Sequence, residues 1–217
     1  MTDWSHTPDW SILVATVPSR LRVVLPTLIE KLRTISGDRP VEILWFGDNK
    51  WRCVGAKRNA LLSLARGDYV SFFDDDDWPA DDYVTRIHDA IVTYNREPDV
   101  ICFEHICTID GGDPILCSYS VDLEYSWTGP RWTGKPAHTC CWRRALIQDV
   151  RFPEANIGED MDWVRTATAR VENEVQLRGE PLYHYNCRAD RSETRGAGLL
   201  RDVPLALQAW WEQARAQ

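Results

Sequence analysis

Four consecutive aspartates, Asp74, Asp75, Asp76 and Asp77, form the densest group of side chains in this sequence that could do chemistry. Adjacent carboxylates repel one another, and that repulsion is relieved when a hard divalent cation binds to them. Mg²⁺ and Mn²⁺ prefer such oxygen ligands. This acid run therefore predicts a divalent-cation site. The alternative is a solvated run of charges that begins a helix.

A second acidic pair, Glu159 and Asp160, follows Gly158 at the predicted start of a helix. An ionised carboxylate within hydrogen-bond reach of a hydroxyl can act as a general base. The alternative is ordinary negative charge in the first turn of a helix, where the helix dipole favours it.

The elements around the acid run indicate where it lies. It directly follows an apolar segment, residues 69–73, which is rich in β-forming residues and predicts a buried strand. Pro79 and the two aspartates after it predict the start of a helix. The acids therefore lie at the carboxyl end of an interior strand, which is where open α/β sheets bind ligands.

The amino-terminal half alternates strands and helices. Strands are predicted over Trp10–Thr16, 41–46 and 69–73, and helices over 21–35 and 60–65. Pro26 is expected to kink the first helix. This β-α-β-α-β order predicts a parallel sheet with right-handed crossovers. Thr16 and Asp48, which end the first two strands, should then reach the same sheet edge as the acids.

The carboxyl-terminal half has a less regular pattern. Helices are predicted over 81–95, 161–171 and 203–214, strands over 99–106, 116–125, 139–142 and 181–185, and a loop over 127–136. No linker or repeat divides the chain, so a single domain is expected.

Composition excludes several classes of protein. The chain has 217 residues and a net charge of −8, which argues against a broad nucleic-acid surface. We expect no transmembrane helix and no signal peptide, because no apolar stretch approaches 18 residues and the first ten residues lack a basic region. Seven cysteines without a C-x-x-C pair predict reduced thiols in a cytoplasmic protein rather than a zinc site.

Taken together, these segments resemble family-2 glycosyltransferases of the GT-A fold. The resemblance is carried by WSILVAT with Arg20, Asp48, GAKRN, ARGDYVSFFDDDDW and GEDMDW, within residues 10–185. It implies an α/β fold with a Rossmann-like, mostly parallel central sheet flanked by helices and a smaller antiparallel acceptor-side portion. One domain over 1–217 would comprise a nucleotide-sugar-binding half, 1–106, and an acceptor-binding half, 107–217.

The resemblance also implies roles for the acids. The family pattern Asp-x-Asp-Asp falls on Asp74, Asp76 and Asp77. Asp76 would bind a metal that bridges the donor diphosphate, and Asp74 would contact the nucleotide at its ribose. Asp75 occupies the variable position and is assigned to the donor site. Asp77 could instead cap the following helix.

Further donor contacts are expected at the strand ends and in GAKRN. Asp48 could accept the N3–H of uracil, or it could simply be a turn residue. Thr16 and Arg20 would contact the pyrimidine or phosphates. Arg58 matches the arginine of the family's Ala-Arg-Asn, whereas Lys57 replaces its alanine and adds a positive charge, and both could meet phosphate oxygens.

The acceptor side is expected to carry the chemical step. The resemblance implies that Asp160 is the general base, supported by Glu159, and that His184 is a late metal ligand. One carboxylate base without a protein nucleophile suits inversion by single displacement.

Several further residues are assigned more loosely. His138 and Trp142 are expected to shape the acceptor pocket, and Trp127 and Trp132 to stack on a sugar or base. Residues 188–198 could form a lid over the diphosphate.

The predicted function is a metal-dependent, inverting glycosyltransferase. It would move a sugar from a uridine nucleotide-sugar to an acceptor hydroxyl with Mn²⁺ or Mg²⁺. The alternatives are a catalytically silent nucleotide-sugar or glycan-binding module, and a nucleotidyltransferase, which normally has a glycine-rich loop that VATVPSR lacks. The acceptor is a glycan or another hydroxyl compound, and the acidic net charge disfavours a modified nucleobase. The oligomeric state stays open.

Overall fold

Two six-stranded sheets and five helices make up residues 7–187, the part of the chain that the computed structural model describes. The predicted helix over 203–214 and the predicted lid over 188–198 lie outside these residues. Within residues 7–187, none of the helices combines the length and the apolar character needed to span a membrane.

The elements follow one another in a mixed order. The strands are β1 Trp10–Thr16, β2 Val41–Gly47, β3 Tyr69–Asp74, β4 Trp78–Pro79, β5 Val100–Phe103, β6 His105–Ile109, β7 Ile115–Tyr119, β8 Ser126–Trp127, β9 Arg131–Gly134, β10 Cys141–Arg143, β11 Glu174–Leu177 and β12 Tyr183–Cys187. The helices are α1 Val24–Ser36, α2 Val54–Leu64, α3 Tyr83–Thr93, α4 Arg144–Ile147 and α5 Glu159–Thr168.

The first sheet has the strand order β11-β5-β10-β3-β1-β2, and all its pairs are parallel except those made by β10. In register, Ala15 lies beside Asp74 and Thr16 beside Gly47. The carboxyl ends of β1, β2 and β3 therefore meet at one edge, as predicted. This mostly parallel α/β sheet confirms the predicted fold class.

The strand β3 is buried on both faces. Tyr69 and Phe73 pack into one apolar cluster with α1 and α3, while Val70 and Phe72 pack into another with α2 and α5. A strand covered on both sides has a nearly continuous apolar sequence, which is why β3 could be predicted. Its burial fixes the position of the acids that follow it.

The second sheet has the order β4-β12-β6-β7-β9-β8. Its antiparallel pairs are β4–β12, β6–β7 and β8–β9, and the remaining two pairs are parallel. The predicted strand over 99–106 is two strands, because the chain passes from the first sheet to the second at Glu104. The loop predicted over 127–136 contains β9, and β11 was not predicted.

Three helix predictions need correction. The second helix starts at Val54 rather than at residue 60, so GAKRN lies in its first two turns. Pro26 lies in the first turn of α1, where its missing N–H is tolerated, so the expected kink has no basis. The helix α5 begins at Glu159, and Gly158 precedes it with a left-handed φ of 75°.

Candidate active site

The four aspartates of the acid run are not equivalent. Asp75 and Asp77 are buried, whereas the side chains of Asp74 and Asp76 are 30% and 29% exposed. Alternate carboxylates therefore face the open edge of the sheet. This alternation places Asp74 and Asp76, the two acids of the Asp-x-Asp pattern, where a ligand can reach them.

Asp75 is held by the end of β1 and the segment after it. The Thr16 hydroxyl donates a hydrogen bond of 2.5 Å to Asp75, and the Arg20 guanidinium donates another of 2.5 Å. Arg20 also pairs with Asp76 at 2.8 Å. Burial nevertheless raises the pKa of Asp75, against the effect of Arg20. Thr16 and Arg20 thus hold the acid run in place.

Asp77 anchors the second sheet and does not cap a helix. It accepts hydrogen bonds from the Tyr183 hydroxyl at 2.5 Å and from the Asn186 N–H at 2.9 Å, both on β12. The helix α3 begins six residues later, at Tyr83, after Asp82. The alternative role predicted for Asp77 is therefore wrong. Its pKa lies well above the ordinary value because of burial and of its neighbours Asp74 and Asp76.

Asp76 has the chemistry of a cation ligand. Burial raises the pKa of its carboxyl to about 6, and Asp74 and Asp75 add to the rise while Arg20 opposes it. A bound cation would favour the ionised form. Residues 7–187 contain no group of three or more His, Cys, Asp or Glu side chains that could hold a metal ion by themselves. The carboxylates fit a cation that takes its other ligands from a substrate, as Mg²⁺ commonly does.

Two consecutive cations of α2 lie buried at the same edge. Lys57 donates to the Thr16 carbonyl at 3.0 Å and pairs with Asp48 at 3.2 Å. Arg58 pairs with Asp74 at 2.8 Å and also with Glu159. Burial lowers the pKa of Arg58, but the two carboxylates outweigh it and the net shift is upward. Arg58 therefore links the acid run to the second acidic pair.

The start of α2 is clasped against the segment before α5. Gly55 donates to the Ala155 carbonyl at 3.2 Å, and a Cβ at Gly55 would lie 2.0 Å from the Pro153 carbonyl oxygen. Asn59 exchanges two hydrogen bonds of 2.9 Å with the main chain of Phe152. Only glycine permits the approach at residue 55. This clasp brings Arg58 to Glu159.

Asp48 lies at the end of β2 and is occupied by its own turn. Its carboxylate accepts the N–H groups of Lys50 at 3.0 Å and Arg52 at 3.1 Å, besides pairing with Lys57. Its pKa is lowered because these contacts outweigh desolvation. The contacts of a turn residue are thus present, at a position that also borders the candidate site.

Glu159 and Asp160 differ in exposure. The side chain of Glu159 is buried against Arg58, and burial raises its pKa although Arg58 opposes the rise. The side chain of Asp160 is 37% exposed, and its Oδ1 accepts the Met161 N–H at 3.0 Å. Of the pair, Asp160 is the carboxylate that an incoming molecule could reach.

Comparison with known proteins identifies the amino-terminal part of this arrangement. The model of glycosyl transferase family 2 matches residues 25–116, which include α2 and the acid run. Residues 25–116 belong to glycosyl transferase family 2. The predicted resemblance is confirmed over this segment. The pair Glu159 and Asp160 lies beyond it. A comparison with curated proteins gives no match.

Solved structures extend the likeness to the fold as a whole. The crystal structure of S. aureus TarS 1–349 in complex with UDP-GlcNAc has a TM-score of 0.61 at 17% identity, over 87% of this chain and 61% of that one. TarS 1–349 in complex with UDP gives 0.60 at 18% identity, over 84% and 61%. A longer TarS chain gives 0.60 at 18% identity, over 82% and 36%. The chain thus spans less than two thirds of these proteins, and the likeness concerns the GT-A fold.

In this family-2 glycosyltransferase fold, the remaining predicted residues fall in different places. His184 is exposed on β12, opposite Trp78 in register and so close to the end of the acid run. Trp142 is fully buried in the core and its indole donates to the Ala137 carbonyl, so its predicted place in an acceptor pocket is wrong. Trp132 packs against Tyr119 and Tyr125 in the second sheet.

His138 occupies a more central position than predicted. Its Nε2 lies 3.7 Å from Asp74 and its Nδ1 lies 3.7 Å from Asp160. A lone histidine within KPAHTC carries no local sequence signal of such a place, because the two acids lie 64 residues before it and 22 residues after it.

Proposed function

We propose that the chain transfers a sugar from a uridine nucleotide-sugar to an acceptor hydroxyl. The observation that carries the proposal is Arg58, which joins Asp74 at the carboxyl end of β3 to Glu159 beside Asp160. One guanidinium thus ties a donor-side carboxylate to a candidate base. The membership of residues 25–116 in family 2 and the fold shared with TarS in complex with UDP-GlcNAc support the same reading.

The donor diphosphate would lie at the open edge of the first sheet. Asp74 would contact the nucleotide ribose, and Thr16, Arg20, Asp48, Asp75, Lys57 and Arg58 would shape or line the donor site. In this assignment Asp48 contacts the base, and it would exchange one of its turn contacts for the uracil N3–H. Asp75 acts by holding Thr16 and Arg20 in place.

A divalent cation, Mn²⁺ or Mg²⁺, would be held by Asp76 with oxygens of the donor, and His184 is the candidate for a further ligand. When bound, the cation would neutralise the charge that develops on the departing nucleoside diphosphate. The protein's own part is to hold the Asp76 carboxylate, through Arg20, at the exposed edge of the sheet.

Asp160 would act as the general base. It takes the proton of the acceptor hydroxyl while that oxygen forms a bond to the anomeric carbon and the bond to the diphosphate oxygen breaks. A single displacement of this kind inverts the anomeric configuration. Glu159, paired with Arg58, would support the base rather than take part. The seven free cysteines suit a reducing, cytoplasmic setting.

The test is a panel of nucleotide-sugars measured by thermal shift and calorimetry with and without Mn²⁺, followed by assay of nucleoside diphosphate release. We expect metal-dependent stabilisation by mass action and a preference for uridine over guanosine compounds, which Asp48→Ala weakens. Equal affinity for both nucleotides would refute the uridine assignment. Binding without any turnover, with a range of glycan acceptors, would favour the silent binding module instead.

A further inference from the structure

The imidazole of His138 lies between the two acidic centres of the candidate site. Its Nε2 faces Oδ2 of Asp74 and its Nδ1 faces Oδ2 of Asp160, each at 3.7 Å. The residue is buried, and its Nε2 has no hydrogen-bond partner within residues 7–187. A buried polar atom without a partner is rare and calls for an explanation.

The main chain around His138 is fixed by the central sheet. The Phe72 N–H on β3 donates to the His138 carbonyl at 3.4 Å, and the Phe72 and His138 rings lie 6.3 Å apart. The Ala137 carbonyl next to it accepts from the Cys140 N–H and from the Trp142 indole, each at 3.0 Å. The ring is therefore carried by the same strand that positions Asp74.

The charges around the ring favour a donor at this place. Asp74, Glu159 and Asp160 supply three negative charges, and Arg58 contacts the first two. The ion-pair contact of Asp160 within the described residues is with His138. On another side of the ring, the buried His105 lies close enough for the two imidazoles to disfavour each other's charge.

The geometry points to His138 as a positioning residue that fixes the Asp160 carboxylate and couples it to the donor-side acid Asp74. This rests on the proposed function, in which Asp160 is the base. The Met161 N–H already holds Oδ1 of Asp160, and an N–H at Nδ1 of His138 would hold Oδ2. Both oxygens are then fixed, and so is the plane of the carboxylate. A neutral imidazole serves one carboxylate at a time, whereas an imidazolium serves both.

Amide isosteres separate the two contacts. In His138→Asn the amide nitrogen can stand near the place of Nδ1, facing Asp160, and in His138→Gln near the place of Nε2, facing Asp74. His138→Leu removes both donors. We expect His138→Leu to lower kcat by roughly 10- to 100-fold, the scale of a small misplacement of a catalytic group. His138→Asn should recover most of kcat, while His138→Gln should recover donor KM but not kcat.

The matched control is His88→Leu, which removes another buried histidine, paired with Asp9 at the opposite end of the sheet. Its kcat should equal that of the wild type, measured at a temperature where circular dichroism shows every variant folded. A double variant, His138→Leu with Asp160→Asn, should turn over no more slowly than Asp160→Asn alone, because the two residues act as a unit.

The outcomes are distinguishable. Normal kcat in His138→Leu, equal losses in the Leu, Asn and Gln variants, or additive losses in the double variant would each overturn the positioning role. Near-normal turnover in Asp160→Asn would instead refute the base assignment in the proposed function. If the wild-type chain neither binds a uridine nucleotide-sugar nor transfers from it, the proposed function fails, and the role of His138 fails with it.

Discussion

Substitution of Asp77 separates a structural aspartate from the ligand-facing ones beside it. Asp77 is buried and accepts hydrogen bonds from the Tyr183 hydroxyl and the Asn186 N–H. An asparagine can keep both partners, since its oxygen accepts from Asn186 and its amide can donate to the tyrosine oxygen. We therefore expect Asp77→Asn to fold and to retain metal-dependent donor binding, and Asp77→Ala to be destabilised.

The magnitude follows from the two hydrogen bonds. A buried donor left without an acceptor costs about 1–3 kcal/mol. Asp77→Ala strands two of them, and removal of a buried negative charge offsets part of the loss, so we expect a net decrease in unfolding free energy of about 2–4 kcal/mol. Asp77→Asn should lie within about 1 kcal/mol of the wild type at neutral pH, because it exchanges a charged acceptor for a neutral one.

The pH dependence gives a second signature. The pKa of Asp77 is raised in the folded state, first by burial and then by Asp74 and Asp76. The folded carboxyl thus holds a proton that the unfolded one releases, and wild-type stability falls as pH rises above the unfolded pKa. Asp77→Asn lacks this penalty, so its stability relative to the wild type should increase from pH 4 to pH 8.

The assay is urea unfolding of the wild type and both variants across that pH range, with calorimetry of a uridine nucleotide and Mn²⁺. Loss of metal-dependent binding in a fully folded Asp77→Asn would refute the reasoning, because Asp77 would then be a ligand. An Asp77→Ala variant as stable as the wild type would show that the bonds to β12 contribute nothing.

Three further predictions concern neighbouring groups. Asp76→Ala should abolish transfer and remove the Mn²⁺-dependent thermal stabilisation by nucleoside diphosphate, and metal-dependent donor binding in this variant would contradict the assignment. Asp160→Asn should lower turnover by on the order of 10²- to 10⁴-fold with nearly unchanged donor affinity, and the wild-type product should have the inverted anomer by NMR. Burial and His138 lower the pKa of His105 to about 3, so its stabilising contribution is complete above the unfolded pKa near 6.5 and declines as pH falls. His105→Gln should therefore flatten the rise of unfolding free energy between about pH 4 and 6 by up to about 1.4 kcal/mol per pH unit, and an unchanged slope would count against the shift.

The first sheet could be predicted because its inner strands are buried on both faces. The sequence of β1 is apolar enough that Trp10–Thr16 is predicted residue for residue, and the parallel order then places Asp48 and the acids at one edge. The start of α2 could not be predicted, because Cys53 precedes it without a side-chain cap and Lys57 and Arg58 suggest an exposed surface. Those cations are buried only because their partners come from other elements.

Roles within the site depend on contacts that are remote in sequence. Which aspartates turn inward is decided by Tyr183 and Asn186, more than 100 residues after Asp77. The position of His138 follows from a main-chain hydrogen bond to Phe72. The break at Glu104 is similar, since it depends on a second sheet whose other strands lie mostly later in the chain. Local patterns indicate the acids but not their division of labour.

The clasp between α2 and the segment before α5 has a consequence for how the protein is made. Its contacts join residues 93 to 102 positions apart, from Asn59 with Phe152 to Val54 with Asn156. Closing such long loops comes late in folding, after the local helices and strands have formed. Until residues 152–159 leave the ribosome, Arg58 lacks Glu159 and the start of α2 lacks its cover. The family-matched segment 25–116 should therefore be unable to form this site when expressed alone, and transfer competence should be gained in one step near the end of synthesis.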